Sequence, residues 1–414
     1  MSNKKKVIIA SVLGNALELY DFSLYGIFAP LFATLFFPTG NPTVALLASL
    51  ATFAVGFLMR PLGGILFGYL GDRFGRKNAL SISIMLMALP TLIISFLPTY
   101  AQIGILAPIL LLLCRLLQGL CAGGEYTGAS IFIIEHLGKS RRGLAGSLIS
   151  ASGAIGSLIA MLLGAALLQP GLPEWSWRIP FLMGAFLALI GFYIRRSLQE
   201  SPEFTELLVQ QAPSSGAPLL VAFQKYPISI LRVFAIGAFA NVLANTLVVY
   251  LNVYLTKVVG ISISHSMFFN SIGLLVVIFM IPFMGWLSDK IGQSTLMRLG
   301  ACLVFVSVYP LFSLLKSGLG ENIIGVQIFL AVIMSLFLGP SNAFMNRLFP
   351  ASTRYSGIAF GYCLGMAMMG GTMPLISTYL IEITHTMMAP AYYLMICSFM
   401  GFLAVYEKKG ASSR

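Results

Sequence analysis

Charge is what this sequence has least of. Only 9% of its 414 residues are charged, against about a quarter in soluble domains. Acids are scarcest, 13 Asp and Glu against 25 Lys and Arg. A water-soluble surface cannot be made from so few charges. Histidine is nearly absent, with 3 residues far apart in the chain. The 5 cysteines (Cys114, Cys121, Cys302, Cys363 and Cys397) all fall inside apolar runs. They have no metal-ligand spacing and imply no disulfide framework. No His/Cys/Asp cluster, nucleophile–base pair or phosphate loop is visible, so no metal, cofactor or enzyme activity is expected. The net charge of +12 would suit nucleic acid by itself. Its distribution excludes that partner, because the basic residues sit in short loops between apolar runs.

What is present is apolar. The chain is 58% hydrophobic, with a mean hydropathy of +0.91. Most of it must lie in lipid, where a spanning helix needs about 20 apolar residues. Twelve spans are predicted, at 7–37, 43–70, 79–97, 106–135, 144–168, 178–194, 228–256, 264–287, 295–316, 323–346, 355–382 and 389–406. Met1–Lys6 and the run behind it look superficially like a signal peptide. That run is too long, holds Glu18 and Asp21, and has no small-residue cleavage site, so removal is not expected. Basic residues cluster in alternate loops (Lys4–Lys6, Arg73–Lys77, Lys139–Arg142, Arg195–Lys225, Lys290, Arg347, Arg354, Lys408–Lys409). The intervening loops hold only Arg178, Lys257 and Lys316 at their edges. Both termini are therefore expected in the cytoplasm.

The chain is organised around residues 57–80, FLMRPLGGILFGYLGDRFGRKNAL. Two apolar runs meet there at a short charged turn, read as a tight membrane-surface hairpin. Gly68 and Gly71 let helix backbones approach closely. Asp72 can cap a neighbouring helix or pair with a cation, and Arg73, Arg76 and Lys77 hold the turn inside. Gly285-Trp-Leu-Ser-Asp289-Lys290-Ile-Gly292-Gln293 echoes this pattern. The polar stretch around 195–227 reads as a linker, with room for a short surface helix. The expected domains are a six-helix half at 1–194, the linker at 195–227, and a second half at 228–414.

Charges inside spans are costly and are functional candidates by default. At helical spacing Asn15, Glu18, Asp21, Phe22 and Tyr25 share one stripe of the first span. Arg60, followed by Pro61, lies at mid-depth of the second span and is the nearest counter-ion for the first-span acids. In the fourth span Arg115, Gln118 and Glu125 share a face; Arg115 and Glu125 are about 15 Å apart along the axis and cannot simply pair. Burial favours the neutral form of a carboxylate and a nearby cation the charged form, so Glu18, Asp21 and Glu125 are candidate proton carriers. A purely structural Glu18–Arg60 or Asp21–Arg60 pair is the plainer reading of the same residues. Three acids against Arg60 and Arg115 leave one net negative charge, which a single proton would cancel. The second half has no mid-span charge. Its candidates are neutral: Asn241, Asn245, Asn252, Asn270, Asn342, Tyr250, Tyr254 and Tyr362.

The pattern Gly68-x-x-x-Asp72-Arg73-x-Gly75-Arg76-Lys77 resembles the loop 2–3 signature of the major facilitator superfamily. Four further motifs resemble its metabolite:proton symporter family: Gly14-Asn15-x-x-Glu18-x-Tyr20-Asp21-Phe22, Arg60-Pro61-x-Gly63-Gly64, Gln118-Gly119-x-x-x-Gly123-Gly124-Glu125 and Trp177-Arg178-Ile179-Pro180-Phe181. Glu200-Ser-Pro202-Glu203-Phe204 is a fifth. GEYTGASIF at 124–132, Arg354-Tyr355-Ser356 and PAYYLM at 390–395 look most like the proline/betaine branch. The resemblance implies an all-α membrane protein of twelve transmembrane helices in two six-helix pseudo-repeats, in a bacterial inner membrane. It implies a monomer that imports a small metabolite with protons, a zwitterion such as proline or glycine betaine, through a midplane site between the halves.

The substrate residues this predicts are Asn15, Tyr25, Arg60, Arg115, Gln118, Asn241, Asn245 and Tyr250. The gating residues are Gly68, Asp72, Arg73, Gly75, Arg76 and Asp289. Arg115 looks more like the organic-acid branches, so a 2-oxoglutarate, shikimate or citrate type of symport is the alternative. Ala244-Asn245 stand where relatives carry an aromatic pair, and no quaternary-ammonium cage is evident. The last span is followed by eight residues, without the coiled-coil tail of some osmosensing members, so that form of regulation is not expected. A drug antiporter is disfavoured because the fifth span has no Gly-Pro motif. A sensor on this scaffold would have lost its coupling charges or gained a signalling domain.

Overall fold

The computed structural model describes residues 3–167, 171–196, 199–200, 204–205 and 218–406, without the side chains of 3–6 and 139. Eleven described helices are long and apolar enough to cross a membrane. They are α1 (Val7–Phe36), α2 (Pro42–Phe74), α3 (Arg76–Phe96), α4 (Leu106–Leu137), α5 (Arg142–Leu167) and α6 (Glu174–Arg196). The second group is α7 (Pro227–Val259), α8 (Ile263–Ile291), α9 (Gln293–Leu315), α10 (Gly320–Asn346) and α11 (Arg354–Thr384). A shorter apolar helix, α12 (Ala389–Ala404), follows. No strand occurs among the described residues. Most of the linker, including Pro202 and Glu203, and Lys408–Lys409 lie outside the described residues; Pro218–Lys225 forms a short helix ahead of α7.

Several helices are not uniform. α2 is interrupted at Met59, because Pro61 has no N–H to give to the carbonyl one turn back. α4 loosens at Gly123–Gly124, where Glu125 starts a new helical stretch. α7 carries two π-helical turns, Thr246–Tyr250 and Leu255–Val259, and α11 carries one at Met366–Gly370. Such turns recur at functional sites.

The expected hairpin at 68–77 is tighter than its sequence suggests. Asp72 and Arg73 are still helical, and the break is Gly75 alone. Its φ of 102° reverses the chain, and Arg76 opens α3. Gly292, at the same place in the second copy, has a φ of 97° and separates α8 from α9. Only glycine takes that backbone without strain.

Helix α2 packs on α4 almost backbone to backbone. A Cβ at Gly63 would strike the carbonyl of Leu120, one at Gly119 the carbonyl of Gly56, and one at Gly123 the carbonyl of Arg60. Lipid tails are as apolar as leucine, so helices in a membrane associate through close packing, which small residues permit. This contact brings Arg60 and Arg115 into one buried layer with α1.

Candidate functional site

The polar stripe of α1 is wholly buried. Asn15, Glu18, Asp21 and Tyr25 are each at most 3% exposed, as are Arg60 and Arg115. The three carboxylates are held in different ways. The Arg60 guanidinium lies 3.0 Å from Glu18 Oε1, and neither Glu18 oxygen accepts a well-aligned hydrogen bond. Asp21 Oδ2 accepts from the Thr91 hydroxyl and from Gln118 Nε2, the latter at 2.9 Å. Glu125 is gripped by both terminal nitrogens of Arg195 and accepts from the Ser83 hydroxyl at 2.7 Å.

Arg195 corrects the charge count. The sequence places it in the basic linker. It is in fact in the last turn of α6, 2% exposed, with Nη1 also donating to the Leu80 carbonyl at 2.8 Å. With Arg195 added, the three acids are matched by three buried arginines, and their charges cancel rather than leaving one negative. Gly14 makes the pairing possible, since a Cβ there would occupy the space of the Arg195 guanidinium. Only the closing Arg-Arg of an apolar run marks this residue in the sequence, and that reads as a surface anchor.

Arg115 does not meet Asp21 directly. Its Nη1 donates to Gln118 Oε1 at 2.8 Å, and Gln118 passes the contact on to Asp21. The Phe22 ring lies between the two arginines, 3.9 Å from the Arg60 guanidinium carbon and 4.4 Å from that of Arg115. Tyr25 lies 4.6 Å from Arg115 on another side. Stacking on aromatic faces holds cations that lack a full set of hydrogen bonds. Nε and Nη2 of Arg115 have none.

A cavity of about 100 Å³ lies between the first six helices and the later ones. Arg60, Tyr126, Ser150, Ser157, Asn241 and Tyr362 supply its polar lining. Tyr126 and Tyr362 stack with centroids 5.1 Å apart. Asn342 Nδ2 donates to the Tyr126 hydroxyl at 2.9 Å and to the Gly146 carbonyl at 3.0 Å.

The other sequence-predicted site residues lie elsewhere. Asn15 donates to the Ile149 carbonyl and Ser152 Oγ, tying α1 to α5. Tyr25 donates to the Ser49 carbonyl at 3.3 Å. Asn245 donates to the Gly370 carbonyl at 3.1 Å, tying α7 to α11. Arg115 and Gln118 are enclosed behind Phe22, and Tyr250 lines a different cavity.

The two glycine-acid motifs do reciprocal work. Asp72 Oδ2 accepts from the Ser356 amide at 3.0 Å and its hydroxyl at 2.7 Å, in the first turn of α11. Asp289 accepts from the amides of Gly143 and Leu144, in the first turn of α5, at 2.8 and 3.1 Å. Each carboxylate thus sits at a positive helix N-terminus. Arg76 is 1% exposed, donates to the carbonyls of Gly71 and Ala351, and lies 3.4 Å from Asp72.

Two acids here were not among the predicted residues. Glu135 lies 3.8 Å from Arg76 and 3.1 Å from Arg354. Glu200 accepts from the amides of Arg76 and Lys77, at 3.0 and 3.2 Å, at the start of α3. Arg73 points outward, exposed, against Tyr69. The motif-bearing face is closed by these contacts.

Residues 12–367 match the Major Facilitator Superfamily. The chain belongs to that superfamily. A proline/betaine transporter of Escherichia coli K12 is 36% identical over 99% of this superfamily member and 84% of its own length. A glycine betaine/proline/ectoine/pipecolic acid transporter of Dickeya dadantii is 36% identical over 96% and 82%. Among solved structures, a proton:xylose symporter superposes with a TM-score of 0.79 over 98% of this chain and 94% of that one. At 18% identity that likeness shows the fold alone.

Proposed function

We propose that this protein imports a small zwitterionic solute of the proline or glycine betaine class together with protons, by alternating access. Names of relatives 36% identical across nearly the whole chain support the solute class. The pair of Glu18 with Arg60, the latter lining the cavity, carries the coupling. Asp21 is held at Oδ2 by Thr91 and Gln118, and Glu125 at both oxygens by Arg195 and at Oε2 by Ser83. Glu18 depends on Arg60 alone.

A solute carboxylate arriving in the cavity competes for the Arg60 guanidinium. Glu18 then loses its counter-ion, and an unpaired buried charge is strongly unfavourable. Taking up a proton removes that charge. Solute and proton therefore bind with mutual reinforcement, which is reciprocal by linkage. The cationic nitrogen of the solute lies against the faces of Tyr126 and Tyr362. Arg115 acts behind Phe22, holding Gln118 on Asp21.

The wider organisation follows the same reading. Twelve spans form two six-helix halves, 1–194 and 228–414, joined by the 195–227 linker. The motif face, rich in Lys and Arg, is cytoplasmic, with both termini, in a bacterial inner membrane. The protein works as a monomer. Asp72, Arg76 and Asp289 hold the cytoplasmic face shut, and releasing them lets the halves rock about the cavity.

Uptake into proteoliposomes under an imposed inward proton gradient tests the function. Proline or glycine betaine should accumulate, and a protonophore should abolish accumulation. Uptake of 2-oxoglutarate or shikimate alone would replace the zwitterion with an organic acid and make Arg60 a ligand for an anion.

A further inference from the structure

A second cavity, of about 200 Å³, lies between α2, α7 and α11 at the ends remote from the motif loops. Pro42 and Thr43 at the start of α2 line it, whereas Asp72 is near the other end of that helix. Glu382 lines it near the end of α11, whose first turn meets Asp72. The cavity is thus on the face opposite the closed one.

Its chemistry is that of an amino-acid-like zwitterion in negative. Lys257 and Glu382 are exposed and line the same space. Neither has an ion pair within 4.0 Å among the described residues. Two phenols line the same space. The Tyr254 hydroxyl is spent on the Met387 carbonyl at 3.3 Å. Tyr250 is 1% exposed, and no hydrogen bond engages its hydroxyl among the described residues. That hydroxyl is not sealed from solvent, and it is free to donate to a ligand in the cavity that its residue lines.

The cavity also follows the central one along α7. Along α7, Asn241, Ala244, Leu247 and Val248 line the central cavity. Tyr250, Val253, Tyr254 and Lys257 line the outer one. The π-helical turn Thr246–Tyr250 is the boundary. A solute reaching the central cavity from this face passes Lys257 and Glu382 first.

We propose that Tyr250, Lys257 and Glu382 form an outer encounter site that binds the zwitterion before it moves to Arg60. The carboxylate meets Lys257 and the Tyr250 hydroxyl, and the cationic nitrogen meets Glu382 and a tyrosine face. The direction of passage rests on the importer reading above. The ligand class rests on the opposite charges lining this cavity.

Both charged residues are exposed, so Lys257→Gln and Glu382→Gln should fold. In proteoliposomes each is expected to raise the KM for glycine betaine about threefold, the scale of one exposed charge contact, with kcat within about twofold. Equilibrium binding of labelled glycine betaine to the full-length purified protein is the second readout. Wild type should show a tight and a weaker site, and either variant should lose the weaker one.

A changed kcat at constant KM would make the pair a closing latch and overturn the proposal. A single site in wild type would overturn it as well. Uptake of an organic acid alone, with Lys257→Gln impaired and Glu382→Gln normal, would overturn the zwitterion at this site while leaving transport in place. Two-site binding without uptake would uphold this site while the importer reading fails.

Discussion

At the scale of single residues, burial alone does not tell the acids apart. Glu18, Asp21 and Glu125 are all fully enclosed, and their partners set their roles. Glu125 with Arg195 is the strongest pair by geometry, and Gly14 leaves the room for it. Gly14→Ala should push the Arg195 guanidinium off Glu125 and destabilise the protein by about 3–5 kcal/mol, the cost of breaking a buried pair. Thermal unfolding in detergent measures it. Arg195→Gln should cost a similar amount, and the double variant little more, because both remove one interaction. Additive losses would place Gly14 and Arg195 in separate roles.

The sequence shows the acids readily, since few residues are more conspicuous than Glu18 or Asp21 in an apolar run. It does not show which acid owns which partner. Arg195 lies 70 residues from Glu125, and Thr91 lies 70 from Asp21. Those meetings come from how α3 and α6 pack on α1 and α4.

At the scale of helices, the spans were legible because hydrophobicity over about 20 residues has few other meanings. Their interruptions were less so. Pro61 announces a bend, but the loosening at Gly123–Gly124 and the π-helical turns of α7 and α11 depend on neighbours. The two glycine-acid motifs could be aligned by eye. What they bind could not, because α11 and α5 are distant in the chain.

Asp72 stabilises the first turn of α11, and Asp289 that of α5, so each motif fastens a helix from the other part of the chain. Asp72→Asn weakens a charge-assisted hydrogen bond and should cut turnover about tenfold, with equilibrium binding of glycine betaine little changed. Uptake kinetics beside binding isotherms separate the two; lost binding at normal turnover would contradict a gating role. The α2–α4 contact is less tolerant. Gly63→Leu should fail to assemble, because the Leu120 carbonyl occupies the space, and yield of monodisperse protein would report it.

At the scale of the molecule, closure is one-sided. Asp72, Arg76, Glu135, Arg354 and Asp289 close the motif face, while the Lys257–Glu382 cavity opens on the other. Cys114, Cys121, Cys363 and Cys397 are buried and should resist a membrane-impermeant maleimide. Thr43→Cys in the outer cavity should react from the face opposite the motifs, and Ser150→Cys should stay protected. Adding Asp72→Lys should expose Ser150→Cys to reagent on the motif face. Equal labelling of Ser150→Cys with and without Asp72→Lys would contradict the closed face.

In the proposed mechanism, proton coupling rests on Glu18. The most direct test is proton uptake by the purified protein in weak buffer when glycine betaine is added. Wild type should take up a proton as the solute displaces Arg60, and Glu18→Gln should bind the solute without taking one up. Undiminished proton uptake by Glu18→Gln would contradict coupling at Glu18 and move it to Asp21 or Glu125.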